Sequence, residues 1–104
     1  MTSPLSPDQS VTMTDVRAGV DAVDTQLIDL LARRFAYMRA AARIKPDRAM
    51  VRDEARKSAV IVAACKQAEE RQLPGDAIAS LWTALVECSN SYELDEWDQR
   101  HPAN

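Results

Sequence analysis

The stretch LLARRFAYMRAAARIK, residues 30–45, decides the fold predicted from this sequence. It is rich in Ala, Leu, Arg and Met and contains neither Gly nor Pro, which favours an α-helix. At about 100° per residue, Arg34 and Lys45 point within roughly 20° of each other. They also share the direction of an apolar stripe that comprises Val16, Val20, Val23, Leu27, Leu31 and Met38. A helix normally turns its cations away from such a stripe, so these two need a particular reason to point inward.

The helix that contains this stretch is predicted to be long. It begins near Ser10 or Thr14, where Thr14 offers an N-cap and Asp15 places an acid in the first turn. Nothing stops it before Pro46, which disfavours a helical conformation in the residue before it. A helix of about 32 residues is roughly 48 Å long, whereas a compact domain of this chain length is only about 33 Å across. A helix from a second copy is the simplest cover for the stripe, so the sequence predicts a homodimer.

A second, shorter helix is predicted to follow a loop at residues 46–52. Asp53 is suited to cap this helix, which runs to about Arg71. The residues QLPG, at positions 72–75, predict a turn after it.

The third helix is predicted to begin with Asp76 as its N-cap and to reach about Gln99. One face of it, about 100° wide, carries Ile78, Trp82, Val86, Ser89, Glu93 and Trp97. The protomer is therefore predicted to be an all-α, three-helix domain over residues 11–99. We expect a flexible N-terminal tail at 1–10 and a C-terminal tail at 100–104.

The composition favours one small domain of helices. The chain has 104 residues, of which 46% are hydrophobic and 28% charged, and it contains two glycines, too few for the many turns of an all-β fold. The net charge of -3 argues against nucleic acid or an anionic membrane as a partner. No apolar run could span a membrane and no signal-peptide pattern begins the chain, so we expect a cytoplasmic protein. Cys65 and Cys88 are expected to be buried, reduced thiols, because no metal-ligand pattern surrounds them.

Three charged side chains lie on the predicted apolar faces: Arg34, Lys45 and Glu93. Burying any of them unpaired would cost several kcal/mol, so each needs compensation. One interpretation is an internal cluster in which Glu93 pairs with Lys45 and Arg34 bonds to the backbone. The other is a bound carboxylate ligand, because cations outnumber acids on these faces. Arg17 lies about 25 Å from Arg34 along the helix, so it is either solvated or reaches the pocket of an antiparallel partner.

The chemical groups that the sequence lacks narrow the possible chemistry. His101 is the single histidine, and the sequence holds no nucleophile–base pair, metal-ligand spacing or glycine-rich phosphate loop. An enzyme built from Arg, Lys, Glu and Ser on helices would act by holding a charged substrate and stabilising its transition state electrostatically. We therefore expect neither a metal nor a cofactor.

Four segments carry a resemblance to a known family: VRAGVDAVDTQLIDLLARR, RIK, VRDEAR and ECSNSYE. Together with the spacing of Arg17, Arg34, Lys45 and Arg56, they resemble the all-helical class of chorismate mutases over about residues 14–97. The resemblance implies an intertwined homodimer of three-helix protomers in which a long first helix spans the dimer. It also implies conversion of chorismate to prephenate in phenylalanine and tyrosine biosynthesis, with no cofactor.

The resemblance assigns the cations to the substrate. Arg17 is implied to reach the active site of the other subunit, and Arg34 to be the main carboxylate-binding arginine. Ser89 is implied to assist Arg34, and Arg56 to lie near the substrate carboxylates. Lys45 is implied to donate a hydrogen bond to the ether oxygen of the bond that breaks.

Two acidic residues complete the implied site, and one of them departs from the family pattern. Asp53 is implied to lie near the ring hydroxyl of the substrate, and Glu93 to be the second donor to the ether oxygen. Many members have Gln where this chain has Glu93, and an ionised Glu cannot donate a hydrogen bond. We therefore expect activity to fall as the pH rises and Glu93 ionises, and Glu93→Gln to flatten the pH profile.

Lys57 is a second departure, because many members carry a Glu there that contacts the ring hydroxyl. This departure leaves room for isochorismate-pyruvate lyase, which shares the fold and the Arg, Arg, Lys pattern and releases salicylate and pyruvate. The stretch RRFAYMRAAARIK, with Tyr37, resembles that branch. A third interpretation is a non-catalytic helical dimer that binds an aromatic acid or a protein partner.

Overall fold

The computed structural model of the protein describes residues 3–102, and all of its secondary-structure elements are helices. Helix α1 spans Met13–Ile44, α2 spans Glu54–Glu70 and α3 spans Gly75–Arg100, with a short 3₁₀ turn at Arg48–Met50. No strand occurs within the described residues. The predicted all-α class with three helices is confirmed.

The chain divides into two compact units between Arg34 and Phe35, so α1 contributes its first part to one unit and its last part to the other. No helix in the described part of the chain has the length and apolar content needed to cross a membrane. The ends of the two predicted tails, residues 1, 2, 103 and 104, lie outside the described residues.

The start of α1 is fixed by Thr12 rather than by the predicted Thr14. The Asp15 N–H donates to Thr12 Oγ1 at 3.1 Å, and Asp15 Oδ2 accepts from the N–H groups of Val11 and Thr12 at 3.0 and 3.1 Å. This reciprocal arrangement satisfies the first N–H groups of the helix, which have no partner within it. The two backbone hydrogen bonds lower the pKa of the Asp15 carboxyl. The prediction of Thr14 as the cap was wrong because Asp15 lies three residues after Thr12, the spacing that a capping box requires.

The predicted apolar stripe of α1 is half open in the N-terminal unit. Val16 is 41% exposed, Val20 52%, Val23 51% and Leu27 50%. A cavity of about 600 Å³ borders this part of the helix, and its walls are formed by Ser3, Pro4, Leu5, Pro7, Ser10, Val16, Gly19, Val20, Ala22, Val23 and Gln26. The stripe therefore presents a large apolar surface that residues 3–34 do not cover fully.

Pro46 ends α1 as predicted, and the loop that follows contains one turn of 3₁₀ helix. The Lys45 N–H still donates to the Ala41 carbonyl at 2.9 Å, after which Pro46 has no N–H to offer. Asp47 caps the 3₁₀ turn, because its carboxylate accepts from the Ala49 N–H at 3.0 Å. The loop is thus ordered by local hydrogen bonds.

Helix α2 begins and ends close to the predicted residues. The Asp53 side chain accepts from the Arg56 N–H at 2.9 Å, so Asp53 is the predicted N-cap. At the other end Gln72 adopts the left-handed region with φ 61°, and the Leu73 N–H donates back to the Ala68 carbonyl at 2.8 Å. A non-glycine residue therefore makes the reversal that glycine usually makes after a helix.

Helix α3 begins without the cap that the sequence suggested. Pro74 occupies the N-cap position with no side-chain hydrogen bond, and Asp76 lies inside the first turn. The prediction of Asp76 as the cap was wrong, because Pro74, two residues earlier, has an extended conformation and the helix starts at Gly75. A methyl group on Gly75 would lie 3.1 Å from Cys65 Sγ and 3.3 Å from Glu69 Cγ. Glycine thus allows α3 to start directly against α2.

Helices α2 and α3 pack against each other, and α3 also contacts the 3₁₀ turn. Val86, Ser89 and Glu93 are buried on α3, whereas Ile78, Trp82 and Trp97 are half-buried. The predicted inward face of α3 is therefore confirmed, including its two polar members. Ala64 and Ala68 are the buried residues of α2.

The two cysteines are free thiols, but neither is buried as predicted. Cys88 is exposed and Cys65 is half-buried. Cys88 immediately precedes the buried Ser89, and a step of about 100° around the helix turns its side chain to solvent. A hydrogen bond from Cys65 Sγ to Glu69 Oε1 at 3.2 Å raises the pKa of the Cys65 thiol.

Candidate active site at the end of α1

Lys45 and Glu93 form an ion pair at the place where α1 ends beside α3. Lys45 Nζ lies 2.7 Å from Glu93 Oε2, and the two side chains are 29% and 4% exposed. The Lys45 ammonium also donates to the Val51 carbonyl oxygen at 3.4 Å. The ammonium is therefore directed by one acceptor on α3 and one in the loop, and Glu93 acts as an acceptor in this arrangement.

This ion pair is the one proposed by the internal-cluster interpretation of the sequence. It compensates the buried Glu93 carboxylate, which would be costly to bury alone. The part of that interpretation that concerns the backbone bonding of Arg34 stays a prediction.

Ser89 lies one helical turn before Glu93 and shares its face of α3. Its side chain is buried, with 3% of the residue exposed, and its hydroxyl donates to the Leu85 carbonyl at 2.8 Å. The structure therefore places Ser89 on the same buried face of α3 as Glu93, the partner of Lys45.

Trp97 contacts the same lysine, although the sequence did not mark it as a site residue. Its indole N–H donates to the Lys45 carbonyl oxygen at 3.0 Å. The His101 ring stacks on the Trp97 ring with centroids 3.9 Å apart and planes inclined by 15°. The inward position of Trp97 was visible in the helical pattern, but its acceptor lies 52 residues away and leaves no local signal.

Arg17 and Arg34 both belong to the N-terminal unit and to α1. Arg17 is exposed, and Arg34 is half-buried. The 1.5 Å rise per residue separates them by about 25 Å along the helix. As predicted from the sequence, one helix therefore cannot bring both side chains to a single small ligand.

Asp53 and Arg56 lie at the start of α2, and both are exposed. Asp53 is occupied by its capping bond to the Arg56 N–H. The Arg56 side chain lines a cavity of about 450 Å³ between α2 and α3, together with Ala59, Val60, Ala63, Ala64, Gln67, Ala68, Arg71, Leu73, Ile78 and Trp82. The cavity is apolar along most of its length, with arginines among its walls.

Lys57 is committed to a partner on α3. Its ammonium lies 2.5 Å from Glu87 Oε1, while the Arg52 guanidinium binds the same carboxylate through two bonds of 3.1 and 2.6 Å. Arg52 also donates to Glu54 at 2.7 Å. The hydrogen bonds from Arg52, followed by that from Lys57, lower the pKa of Glu87 to about 2. Glu87, Arg52 and Lys57 thus form one cluster, the Glu87 cluster, in which the shared carboxylate explains why a Lys is stable at position 57.

The described side chains near Lys45 are suited to stabilising negative charge on a bound molecule. Lys45 supplies a half-buried ammonium whose direction is set by two acceptors. Among residues 3–102, no three side chains of the metal-ligating types come together as a metal site. The chemistry available near Lys45 is therefore hydrogen-bond donation and charge stabilisation in a site partly removed from water.

The chain matches known proteins along most of its length. The sequence profile of a family described as chorismate mutase type II matches residues 16–94. The chain is also similar to an isochorismate pyruvate lyase of Pseudomonas aeruginosa, with 24% identity over 98 residues that cover 94% of this chain and 97% of the lyase. Arg17, Arg34, Lys45 and Glu93 all fall within the part matched by the family.

Proposed function

Because this chain belongs to the chorismate mutase type II family, we propose that it converts chorismate to prephenate, a step toward phenylalanine and tyrosine. The observation that carries the proposal is the Lys45 ammonium at the end of α1, which lies 2.7 Å from the buried Glu93 carboxylate on α3. A positive donor with a fixed direction is what an ether oxygen requires while its bond breaks.

The reaction suits the residues that the chain offers. Chorismate carries two carboxylates and an ether bridge, and its rearrangement breaks one C–O bond while forming one C–C bond within the same molecule. The step needs no nucleophile, proton transfer or cofactor. It needs the enolpyruvyl arm to be folded over the ring and the negative charge on the ether oxygen to be stabilised.

Lys45 has the donor capacity for this role. An ammonium group has three N–H donors. The Glu93 carboxylate and the Val51 carbonyl accept two of them in the structure. We assign the third N–H to the ether oxygen of the substrate.

Glu93 has two possible contributions, which depend on its proton. As a carboxylate it accepts from Lys45 and orients the ammonium, as the 2.7 Å contact indicates. As a carboxylic acid it would itself donate to the ether oxygen. We propose that the protonated form is the more active one, since a carboxylate beside the ether oxygen repels the charge that develops there.

The substrate carboxylates are assigned to arginines. We propose that Arg34 binds one carboxylate with help from Ser89, that Arg56 lies nearby, and that Asp53 faces the ring hydroxyl. The guanidinium group is suited to this task because its planar donors match a carboxylate in a bidentate manner.

The proposed enzyme is a homodimer in which Arg17 reaches the active site of the other subunit. The half-open stripe of α1 supports this proposal, because Val20, Val23 and Leu27 are each about half exposed, from 50% to 52%. A second copy of the same helix would cover them. Arg17 is itself exposed, as a residue that serves a partner's site must be in the isolated chain.

A second candidate activity is that of an isochorismate-pyruvate lyase, which splits isochorismate into salicylate and pyruvate. The similarity to the Pseudomonas aeruginosa lyase over 97% of its length favours this candidate. Lys57 supports it as well, because it stands where many mutases carry a hydroxyl-binding Glu and is bound to Glu87. Isochorismate carries its hydroxyl elsewhere on the ring, so it would not require that Glu.

One experiment separates the candidates. Purified protein is mixed with chorismate and, separately, with isochorismate from about pH 5 to about pH 8, and the products are identified by mass spectrometry. Lys45→Met serves as the matched control, because it keeps an unbranched side chain as far as Cε and removes the ammonium. Prephenate formed by the parent but not by the control supports the mutase.

The other outcomes reject the mutase as the main activity. Salicylate and pyruvate from isochorismate, with only slow formation of prephenate, would assign the chain to the lyase. No product from either substrate would leave the third interpretation, a helical dimer that binds an aromatic acid or a protein partner.

A further inference from the structure

We propose that Trp97 is a positioning residue for Lys45, a role that rests on the proposed function of the lysine. Trp97 and Glu93 lie one turn apart on the same face of α3. Trp97 holds the backbone carbonyl of Lys45 at 3.0 Å, and Glu93 holds its ammonium at 2.7 Å. Two residues one turn apart on α3 thus form hydrogen bonds with the backbone and with the side-chain ammonium of the same lysine.

The carbonyl of Lys45 needs an external donor because of its place in the chain. The last four carbonyl groups of a helix have no N–H partner within it. Here Pro46 follows directly and removes one further donor from the chain. The Trp97 indole N–H satisfies the Lys45 carbonyl oxygen instead and joins the end of α1 to α3.

This anchor determines where the ammonium can reach. A lysine side chain has four rotatable bonds, so the direction of its ammonium depends on where the backbone is fixed. With the carbonyl held by Trp97, the side chain spans the distance to Glu93 and Val51. Without that anchor the last turn of α1 is free to fray, and the ammonium loses its fixed direction relative to the substrate.

The Trp97 ring is itself held in place. His101 stacks on it at 3.9 Å, and the His101 N–H donates to the Trp97 carbonyl at 3.0 Å. The His101 ring nitrogen Nδ1 lies 2.9 Å from the same carbonyl. The end of α3 therefore fixes the plane of the indole and the direction of its N–H.

A second hydrogen bond between α1 and α3 offers a matched comparison. Arg39 donates to the Tyr92 hydroxyl oxygen at 2.9 Å, and the Tyr92 ring packs edge-on against Phe35 with centroids 4.9 Å apart. This bond joins the same two helices but does not touch Lys45. A purely structural role for Trp97 would make the two bonds equivalent.

The kinetic test compares Trp97→Phe with Tyr92→Phe. Each variant keeps an aromatic ring and removes the hydrogen-bonding group that joins α1 to α3. We expect Trp97→Phe to lower kcat by about tenfold or more while KM stays within about twofold, because misplacing the donor affects the transition state most. Tyr92→Phe is expected to stay within about twofold of the parent in both, because its bond is exposed. Equal kinetic effects of the two variants would overturn the proposal.

A second measurement does not depend on turnover. The chain has two tryptophans and three lysines, so their indole and ammonium NMR signals can each be assigned with single variants. We expect the Trp97 indole proton to exchange with solvent at least about tenfold more slowly than that of Trp82, for which the described residues provide no hydrogen-bonded acceptor. We also expect Trp97→Phe to shift the Lys45 ammonium signal and Tyr92→Phe to leave it in place.

The outcomes keep the two proposals apart. If the parent acts on neither substrate but Trp97→Phe shifts the Lys45 signal, the positioning role stands and the proposed function fails. If the parent is active but the Lys45 signal and kcat are unchanged in Trp97→Phe, the positioning role is wrong. If Trp97→Phe does not fold, the exchange rates of the two indole protons in the parent decide, and equal rates would reject the role.

Discussion

The Lys45 ammonium lies 2.7 Å from Glu93 Oε2, and the two partners differ greatly in burial. The lysine side chain is 29% exposed, whereas the glutamate side chain is 4% exposed. Water can therefore solvate Lys45 if its partner is removed, but it cannot readily solvate Glu93. Removing the lysine should therefore lower the free energy of unfolding more than removing the glutamate, and this difference can be measured.

Lys45→Met is expected to destabilise the protein by about 3 kcal/mol, because it leaves the Glu93 carboxylate buried without a partner. Urea unfolding followed by circular dichroism measures the change. The double variant Lys45→Met/Glu93→Gln is the control, and it should recover most of the loss since no buried charge remains. A single variant as stable as the parent would show that Glu93 is solvated or paired elsewhere.

Glu93→Gln is expected to raise the rate of prephenate formation, because the Gln amide donates to the ether oxygen, whereas a carboxylate cannot donate and repels the charge that develops there. Initial rates of the parent and the variant with chorismate test this expectation. A Gln variant no faster than the parent would contradict it.

Asp53→Ala is expected to lower the free energy of unfolding by about 1 kcal/mol, because the carboxylate caps α2 by accepting from the Arg56 N–H. Asp53→Asn keeps an oxygen that can accept the same bond and should retain most of the stability. Comparing kcat and KM of the two variants then separates the cap from the proposed contact with the ring hydroxyl. Full activity of Asp53→Asn with impaired Asp53→Ala would restrict Asp53 to capping.

The Glu87 cluster is expected to make stability fall in acid. The pKa of the Glu87 carboxyl is lowered to about 2 from the ordinary 4.5, mainly by the hydrogen bonds from Arg52 and also by that from Lys57. A carboxyl whose pKa is lower in the folded state stabilises the fold above its ordinary pKa, and this contribution is lost as the pH falls from about 4.5 toward about 2. Urea unfolding across that range should show a shallower fall for Glu87→Gln than for the parent.

Some acid dependence should persist in Glu87→Gln. Hydrogen bonds from Arg48 lower the pKa of Asp98, and backbone N–H groups lower that of Asp15, so both carboxyls contribute in the same direction. An unchanged slope in Glu87→Gln would mean that Arg52 and Lys57 do not hold Glu87 in solution.

Mixing two inactive variants tests the shared active site. Arg17→Ala and Lys45→Met each disable both sites of the proposed dimer. A mixed dimer, however, has one site with an intact Arg17 and an intact Lys45. Unfolding and refolding the variants together should restore about a quarter of the parent activity, because about half of the dimers are mixed and each has one working site. No recovery would show that Arg17 does not reach the active site of the other subunit.

The helix boundaries were predictable where the signal is local. Pro46 ends α1 and Asp53 caps α2 because each acts within a few residues of itself. The cap of α1 was misplaced because Thr12 and Thr14 are equally good residue types, and only the reach of Asp15 separates them. For α3, the conformation of Pro74 decided the start.

The site was predictable only in part. Helical periodicity showed that Glu93 and Lys45 face inward, and their pairing across 48 residues was one of two interpretations. The bonds of Trp97 to Lys45 and of Lys57 to Glu87 were not predicted, because their partners are 52 and 30 residues away and depend on how α3 packs. The dimer and the roles of Arg17 and Arg34 stay predictions.

The partly exposed apolar stripe of α1 makes the stability of the proposed dimer depend on the concentration of the protein. When two chains must cover each other's apolar surface, the free energy that keeps each chain folded depends on how many copies are present. Dilution then removes active sites twice, once by lowering the number of chains and again by lowering the fraction that is folded. For a chain of this kind, the level of expression would set the melting temperature as well as the flux through the reaction.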